Sequence, residues 1–257
     1  MNIKDFLNRP IYLNTTPKRI ISLVPSQTEL LVDLGLEENL VGITKFCVHP
    51  KHLKSSKTIV GGTKQVHLDK IKKLQPDIIL CNKEENTKSM VKALQEIAPV
   101  HVSDIKTLDD NIRLINDYGE IFEVQLKAKT LAEKLQTRQH QFQQSITDKP
   151  IKKVAYLIWR DPWMAVGGDT FIDHILSLNR FENVFANQNR YPVIDIQDLP
   201  DLDLLLLSSE PYPFKSKHLD EIPIDNSKIH FVNGEYFSWY GSRMLKAFDY
   251  FENVHKK

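Results

Sequence analysis

The sequence predicts an α/β fold: two Rossmann-like α/β lobes with parallel sheets, joined by a long backbone helix. Three observations carry this expectation. Apolar runs of strand length alternate with segments of helical periodicity, which is the pattern of parallel strands with crossover helices. The alternation stops near residue 107 and resumes after residue 150. Between them, residues 107–147 place apolar side chains at helical spacing with Gly119 as the one glycine or proline, a stretch longer than a crossover between neighbouring strands needs. The expected division is an N-terminal α/β lobe at 1–118, a bridging helix at 119–150 and a C-terminal α/β lobe at 151–257.

In chain order, a short extended opening precedes RIISLV (19–24), a buried strand. PSQT (25–28) leads from it into the periodic helix ELLVDLGL. NLVGITKF is a strand running into CVHPK, HLDKIKKL a short helix, and DIILCN a strand followed by the helix KEENTKSMVKALQEI. PVHVSDI closes this half as a weaker strand. The long segment that follows reads as one helix or a bent pair, and DKPIKK breaks it. VAYLIW, LDLLLLSS and KIHFVN then read as strands, TFIDHILSLN as a helix, and SRMLKAFDYFENVHKK as the closing helix.

Composition bounds the function. With 257 residues, 41% hydrophobic and 26% charged, the chain is an ordinary globular one. Its 34 Lys and Arg against 33 Asp and Glu leave a net charge of +1, so no global field draws it to nucleic acid or an anionic membrane. No apolar run reaches the ~20 residues of a membrane span. Asp5 and Arg9 interrupt the opening where a signal peptide needs an apolar core, so the sequence as given is expected in the cytoplasm. Two cysteines, Cys47 and Cys81, are too few for a disulfide scaffold and are expected as thiols.

Ligands of open α/β sheets gather beyond the carboxyl ends of the strands, so the residues that follow each strand are the candidate site. In the first half these are Ser26 and Gln27 of PSQT, Phe46, Cys47 and His49 of KFCVHP, Thr63 and Lys64 of GGTK, and Asn82, Lys83 and Glu84 of NKEEN. The second half offers Trp159, Arg160 and Trp163 of WRDPWMAVGGDT, Tyr191 of NRYP, Glu210 of SSEPYPF, and Tyr236, Trp239 and Arg243 of GEYFSWYGSR. All three tryptophans fall in these segments. Aromatic rings with amides and a few charges suit a ligand with a broad flat face and polar edges, whereas any single Trp has core packing as its plain alternative.

Other readings stay open beside this one. GGTK and GGDT have the glycines of an anion cradle but lack the further glycines of a phosphate loop or dinucleotide fingerprint, so tight turns are expected; Asp169 and Thr170 read as a helix N-cap. Cys47 and His49, with His52 and Cys81 nearby in sequence or after another strand, supply metal-ligand types, against the alternative of a buried thiol. Beside Lys83, the acidic Glu84 and Glu85 at a helix start complement its dipole; as a general acid and base pair these residues come with no nucleophile motif.

RIISLVPSQTELLVDLGL, NLVGITKF, LDKIKKLQPDIILCN, GGDTFIDHILSLNRFENVF and the final helix together resemble the helical-backbone (TroA-like) substrate-binding proteins of ABC transporters. The likeness is to the cobalamin and iron-siderophore branch of that periplasmic-binding family, in a signal-less subgroup. It implies the class III periplasmic-binding-protein fold and a non-catalytic receptor without an obligatory cofactor. The implied ligand, a cobalamin-like corrinoid or other metal chelate, lies in the cleft between the lobes. By segment match the resemblance implies ligand contacts at Phe46, at Tyr191 with Pro192, and in EYFSWYGSR, with Arg243 as the foremost polar contact. It further implies a monomer that docks an ABC permease through an acidic residue on each lobe, here Asp69 and Asp198, and a periplasmic or cell-surface setting. The alternative is a cytosolic enzyme or metal carrier on the same scaffold, using Cys47 and His49 with Lys83, Glu84 and Glu85.

Overall fold

A computed structural model of the protein describes residues 2–256. It resolves into two compact units, one made of Met1–Gln136 with Tyr240–Met244, the other of Thr137–Trp239 with Leu245–Lys257. Each is built around its own largely parallel sheet.

The first unit opens on an antiparallel pair, β1 (Asn2–Lys4) and β2 (Pro10–Tyr12). Five parallel strands follow: β3 (Ile20–Ser22), β4 (Leu40–Ile43), β5 (Thr58–Ile59), β6 (Ile78–Asn82) and β7 (Val100–Ser103), in the order β5-β4-β3-β6-β7. Strands β3, β6 and β7 are buried at every position, as a sheet covered on both faces requires. The crossovers carry α1 (Pro25–Asp33), α2 (Leu53–Ser56), α3 (Leu68–Lys73) and α4 (Lys88–Gln95). Pro25 stands in the first turn of α1, where its missing N–H costs nothing, so PSQT is helical rather than a lead-in. KEEN, by contrast, lies outside the helix that follows it. The side-chain oxygen of Asn82 accepts the backbone N–H groups of Glu84 (2.8 Å) and Glu85 (3.1 Å), which holds a turn, and Thr87 caps α4.

The long segment is a pair of helices, α5 (Leu108–Ile121) and α6 (Gln125–Ser145). Thr107 and Asp110 form a reciprocal capping box at the start of α5. The break comes at Glu123, whose φ of 57° is left-handed, while Val124 N–H returns to the Gly119 carbonyl at 2.9 Å. A Cβ on Gly119 would lie 2.6 Å from that of Ala128, so glycine permits the close approach of the two helices. The division between the compact units falls inside α6.

The second unit contains β8 (Lys152–Trp159), β9 (Met164–Ala165), α7 (Phe171–Leu178), β10 (Phe181–Asn183), β11 (Leu204–Ser208), β12 (Ile229–Val232), α8 (Gly234–Ser238) and α9 (Met244–Val254). Its parallel order is β10-β8-β11-β12, with β9 turned back antiparallel on β8. Ala155, Leu157, Leu205 and Leu207 on β8 and β11 centre one core cluster. Phe142 near the end of α6 packs on Phe248 and Phe251 of α9 with ring centroids at 5.5 and 5.9 Å. Beside them Arg138 pairs with Asp249 and Glu252.

Candidate functional site

The parallel strands of the first unit deliver their carboxyl ends to one edge of the sheet, and the predicted residues fall into two groups there. One group is engaged in internal structure. Gln27 is fully buried: its amide donates to Ser103 Oγ (2.7 Å) and Tyr240 OH (2.9 Å) and its carbonyl accepts from Tyr118 OH (2.7 Å). Ser26 is also buried. Asn82, besides holding the turn after β6, donates to the carbonyl and hydroxyl of Ser103. Cys47 Sγ sits 3.1 Å from Thr28 Oγ1 and 3.3 Å from Thr44 Oγ1, with no exposed surface.

Arg243, implied as the foremost polar ligand contact, is 5% exposed and grips the buried Glu29 through Nε at 2.7 Å and Nη2 at 3.0 Å. The turn that carries it, Tyr240–Met244, belongs to the first unit, where Gly241 exchanges hydrogen bonds with the Asn111 side chain.

The other group reaches the surface. Phe46 is 49% exposed. The Lys45 ammonium lies 5.0 Å from the Phe46 ring centroid, and Lys45 N–H donates to the Gly61 carbonyl. GGTK is a tight turn: Gly61 has φ 135°, and Gly62 N–H donates to Gln65 O at 2.7 Å. Thr63 offers its carbonyl to Asn86 (2.8 Å), and Lys64 Nζ donates to the Glu84 carbonyl (2.6 Å). Lys83 pairs with Asp104 at the end of β7. The structure therefore gathers Phe46, Thr63, Lys64, Lys83 and Glu84 at one loop cluster, joined by Lys45, which the strand-end reading passed over although it flanks Phe46. His49 is half-buried in the same post-β4 loop.

In the second unit Trp159 ends β8 at 39% exposure, edge-on to Tyr212 with centroids 5.7 Å apart. Trp163 stacks on Phe214 at 5.8 Å and 12°. Arg160 donates to Glu221 (2.7 Å) and contacts Asp161 (3.2 Å). Tyr191 and Pro192 are half-buried, and the Pro192 carbonyl accepts from Ala165 N–H at 3.1 Å. Beside them Val193 is 63% exposed and bridges Met164. Glu210 is held at one oxygen by Ser238 Oγ and Trp239 Nε1, both at 2.9 Å. Trp239 is buried, and Tyr236 stacks on Tyr250 at 4.7 Å. Tyr212 and Glu221 were missed by sequence reading: nothing local marks the partners of Trp159 and Arg160.

Gly167 and Gly168 are required by close packing. A Cβ on either would meet Gln188 O at 2.2 Å or Ala186 O at 2.3 Å, where the chain pairs with residues 186–190. Thr170 is the N-cap of α7, accepting from Asp173 N–H at 3.1 Å.

Electrostatics separate this arrangement from a reactive centre. Burial pushes the Cys47 thiol up, and Cys81, inside the first unit's core, is pushed up to about 12; thiolates are the nucleophiles and metal ligands, and both residues are held as thiols. Burial also raises Glu85, with Lys64 opposing. Among the described residues no three His, Cys, Asp or Glu side chains gather as a metal-binding group, so Cys47 and His49 find no third ligand. What the strand ends offer is aromatic surface and fixed charge, the means of binding rather than bond-making.

A family model described as periplasmic binding protein matches residues 20–206. An uncharacterized ABC transporter substrate-binding lipoprotein, YvrC, of Bacillus subtilis is 28% identical over 73% of this chain and 62% of its own length; the chain thus spans less than two thirds of that relative. A vitamin B12-binding protein of Vibrio campbellii is 23% identical over 96% of this chain and 94% of its own length. The crystal structure of the periplasmic vitamin B12 binding protein BtuF of Vibrio cholerae superposes with a TM-score of 0.78 at 21% identity, covering 94% of this chain and 99% of that one, which shows a shared fold.

Proposed function

The chain belongs to the periplasmic binding protein family, and from that premise we propose that it is the ligand-binding receptor of an ABC-type uptake system for a corrinoid or another metal chelate. The observation that carries the reading is the exposure of large aromatic rings at the strand ends of each sheet, Phe46 at 49% and Trp159 at 39%. Exposed rings on rigid loops give contact area at low entropy cost and suit the flat face of a macrocyclic chelate. The alignment with a vitamin B12-binding protein along nearly the whole chain supports it.

In this reading Phe46, Thr63 and Lys64 of the first unit and Trp159, Trp163, Tyr191 and Glu210 of the second are the ligand-facing groups, while Gln27, Cys47 and Arg243 hold the loops that present them. The receptor acts as a monomer outside the cytoplasmic membrane. Asp69 on α3 and Asp198, both exposed, are the carboxylates that meet the permease.

The test is titration of the purified protein with cyanocobalamin, haemin and ferric citrate, followed by fluorescence of Trp159, Trp163 and Trp239. Saturable quenching at one ligand per chain, weakened by Trp159→Ala, is the expected result. Flat titrations with all three probes reject the reading.

A further inference from the structure

We infer that the ligand carries carboxylates on its rim and that Lys45 and Lys64 read them. The inference rests on the receptor reading and narrows its ligand to an anionic chelate.

Three lysines stand in the first unit's loop cluster, and they differ in what neutralises them. Lys83 has the Asp104 carboxylate. Lys45 lies over the Phe46 ring at 5.0 Å, and Lys64 donates to a backbone carbonyl, Glu84 O, at 2.6 Å. Among the described residues neither Lys45 nor Lys64 makes an ion pair. Glu85 lies in the field of Lys64 without forming an ion pair with it, and burial raises its pKa. In the second unit, Arg160 at the end of β8 is matched by Glu221 and Asp161, and Arg243 by Glu29. The cations without an ion-pair carboxylate among the strand-end residues discussed above are therefore these two.

Their positions are set in advance. Lys45 N–H is bonded to Gly61 O at 2.8 Å, and a Cβ on Gly62 would lie 3.2 Å from the Phe46 ring and 3.6 Å from Lys45 Cε. Thr63 O is fixed by Asn86 at 2.8 Å, and Asn86 in turn accepts from Asn82 N–H at 2.8 Å. An exposed ring with one ammonium over it and a second lysine in the adjacent turn matches an apolar ligand with anionic substituents. A rim of neutral amides gives the ammoniums acceptors without opposite charge, and their desolvation is then poorly compensated.

Calorimetric titration with dicyanocobyrinic acid and its heptamethyl ester decides the matter, because the two share one metal and ring and differ in rim charge. Haemin and cyanocobalamin are titrated alongside. We expect the acid to bind about tenfold or more tightly than the ester, a difference of ~1.4 kcal/mol, with the preference shrinking as salt is raised. Lys45→Met and Lys64→Met keep the aliphatic stem of an exposed residue, and each should reduce the acid-to-ester preference several-fold. Equal affinity for acid and ester, or a preference untouched by both substitutions, overturns the inference while leaving the receptor reading in place. Absence of binding by every probe overturns both.

Discussion

Arg243 and Glu29, 214 positions apart in the chain, close a two-pronged ion pair inside the first unit, with both residues 5% exposed. Paired so, each charge is compensated; removing one takes the opposite charge away from the other inside the unit. Arg243→Met should therefore cost about 3–5 kcal/mol of unfolding free energy. The double variant Arg243→Met with Glu29→Met should recover most of the loss, because an apolar pair of similar volume is often neutral at such a site. Guanidinium denaturation of the three variants measures it. A single variant within about 1 kcal/mol of the parent would show that the pair holds little.

His101 on β7 is fully buried between the rings of Phe6 and Tyr118, at 6.1 and 5.6 Å, and neither ring nitrogen has a hydrogen-bond partner among the described residues. Burial lowers its pKa to about 4; Asp5 opposes the shift, and Arg9 and Arg113 add to it. The unfolded chain protonates this residue near pH 6.5 and the folded one near pH 4. Between those values the unfolded state binds the extra proton, so stability falls as pH drops through the window and is unaffected above it. The loss approaches ~3 kcal/mol at about 1.4 per unit. His101→Phe removes it. Urea denaturation at pH 7, 5.5 and 4.5 should show the variant gaining on the parent toward acid; parallel curves would contradict the assignment.

Cys47 and Cys81 have no exposed surface and raised pKa values, so neither supplies thiolate near neutral pH. A thiol reagent such as DTNB should leave both unlabelled in the native protein and label both promptly in guanidinium. Labelling of native protein at the rate of a free thiol would mean that the loop after β4 opens far more readily than its burial allows.

The sheets were legible in the sequence because parallel strands buried on both faces read as short apolar runs, RIISLV and DIILCN among them. So was the set of loops at their carboxyl ends, since alternation alone says which residues follow a strand. What stayed hidden depends on partners remote in sequence. Arg243 reads as a ligand contact until Glu29 is found beside it, and Arg160 does so until Glu221 is. The break at Glu123 left one weak mark, Gly119, whose missing Cβ admits Ala128. The capture of the Glu84 and Glu85 N–H groups by Asn82, which delays α4 to Lys88, needed geometry.

Gly61 and Gly35 both hold left-handed backbone, at φ 135° and 80°, and together separate local from global effects on binding. A Cβ on Gly61 would meet the Gln65 carbonyl at 2.6 Å, whereas one on Gly35 would meet the end of the flexible Lys127 side chain. Gly35→Ala should cost about 1 kcal/mol through backbone strain alone. Gly61→Ala should cost about 1–3 kcal/mol and also displace the turn that carries Thr63 and Lys64. Denaturation curves and ligand titrations on the pair are therefore expected to diverge: both variants lose stability, but only Gly61→Ala loses affinity. If Gly35→Ala weakens binding as much, the effect comes from general destabilisation and the GGTK turn is not a ligand-presenting loop.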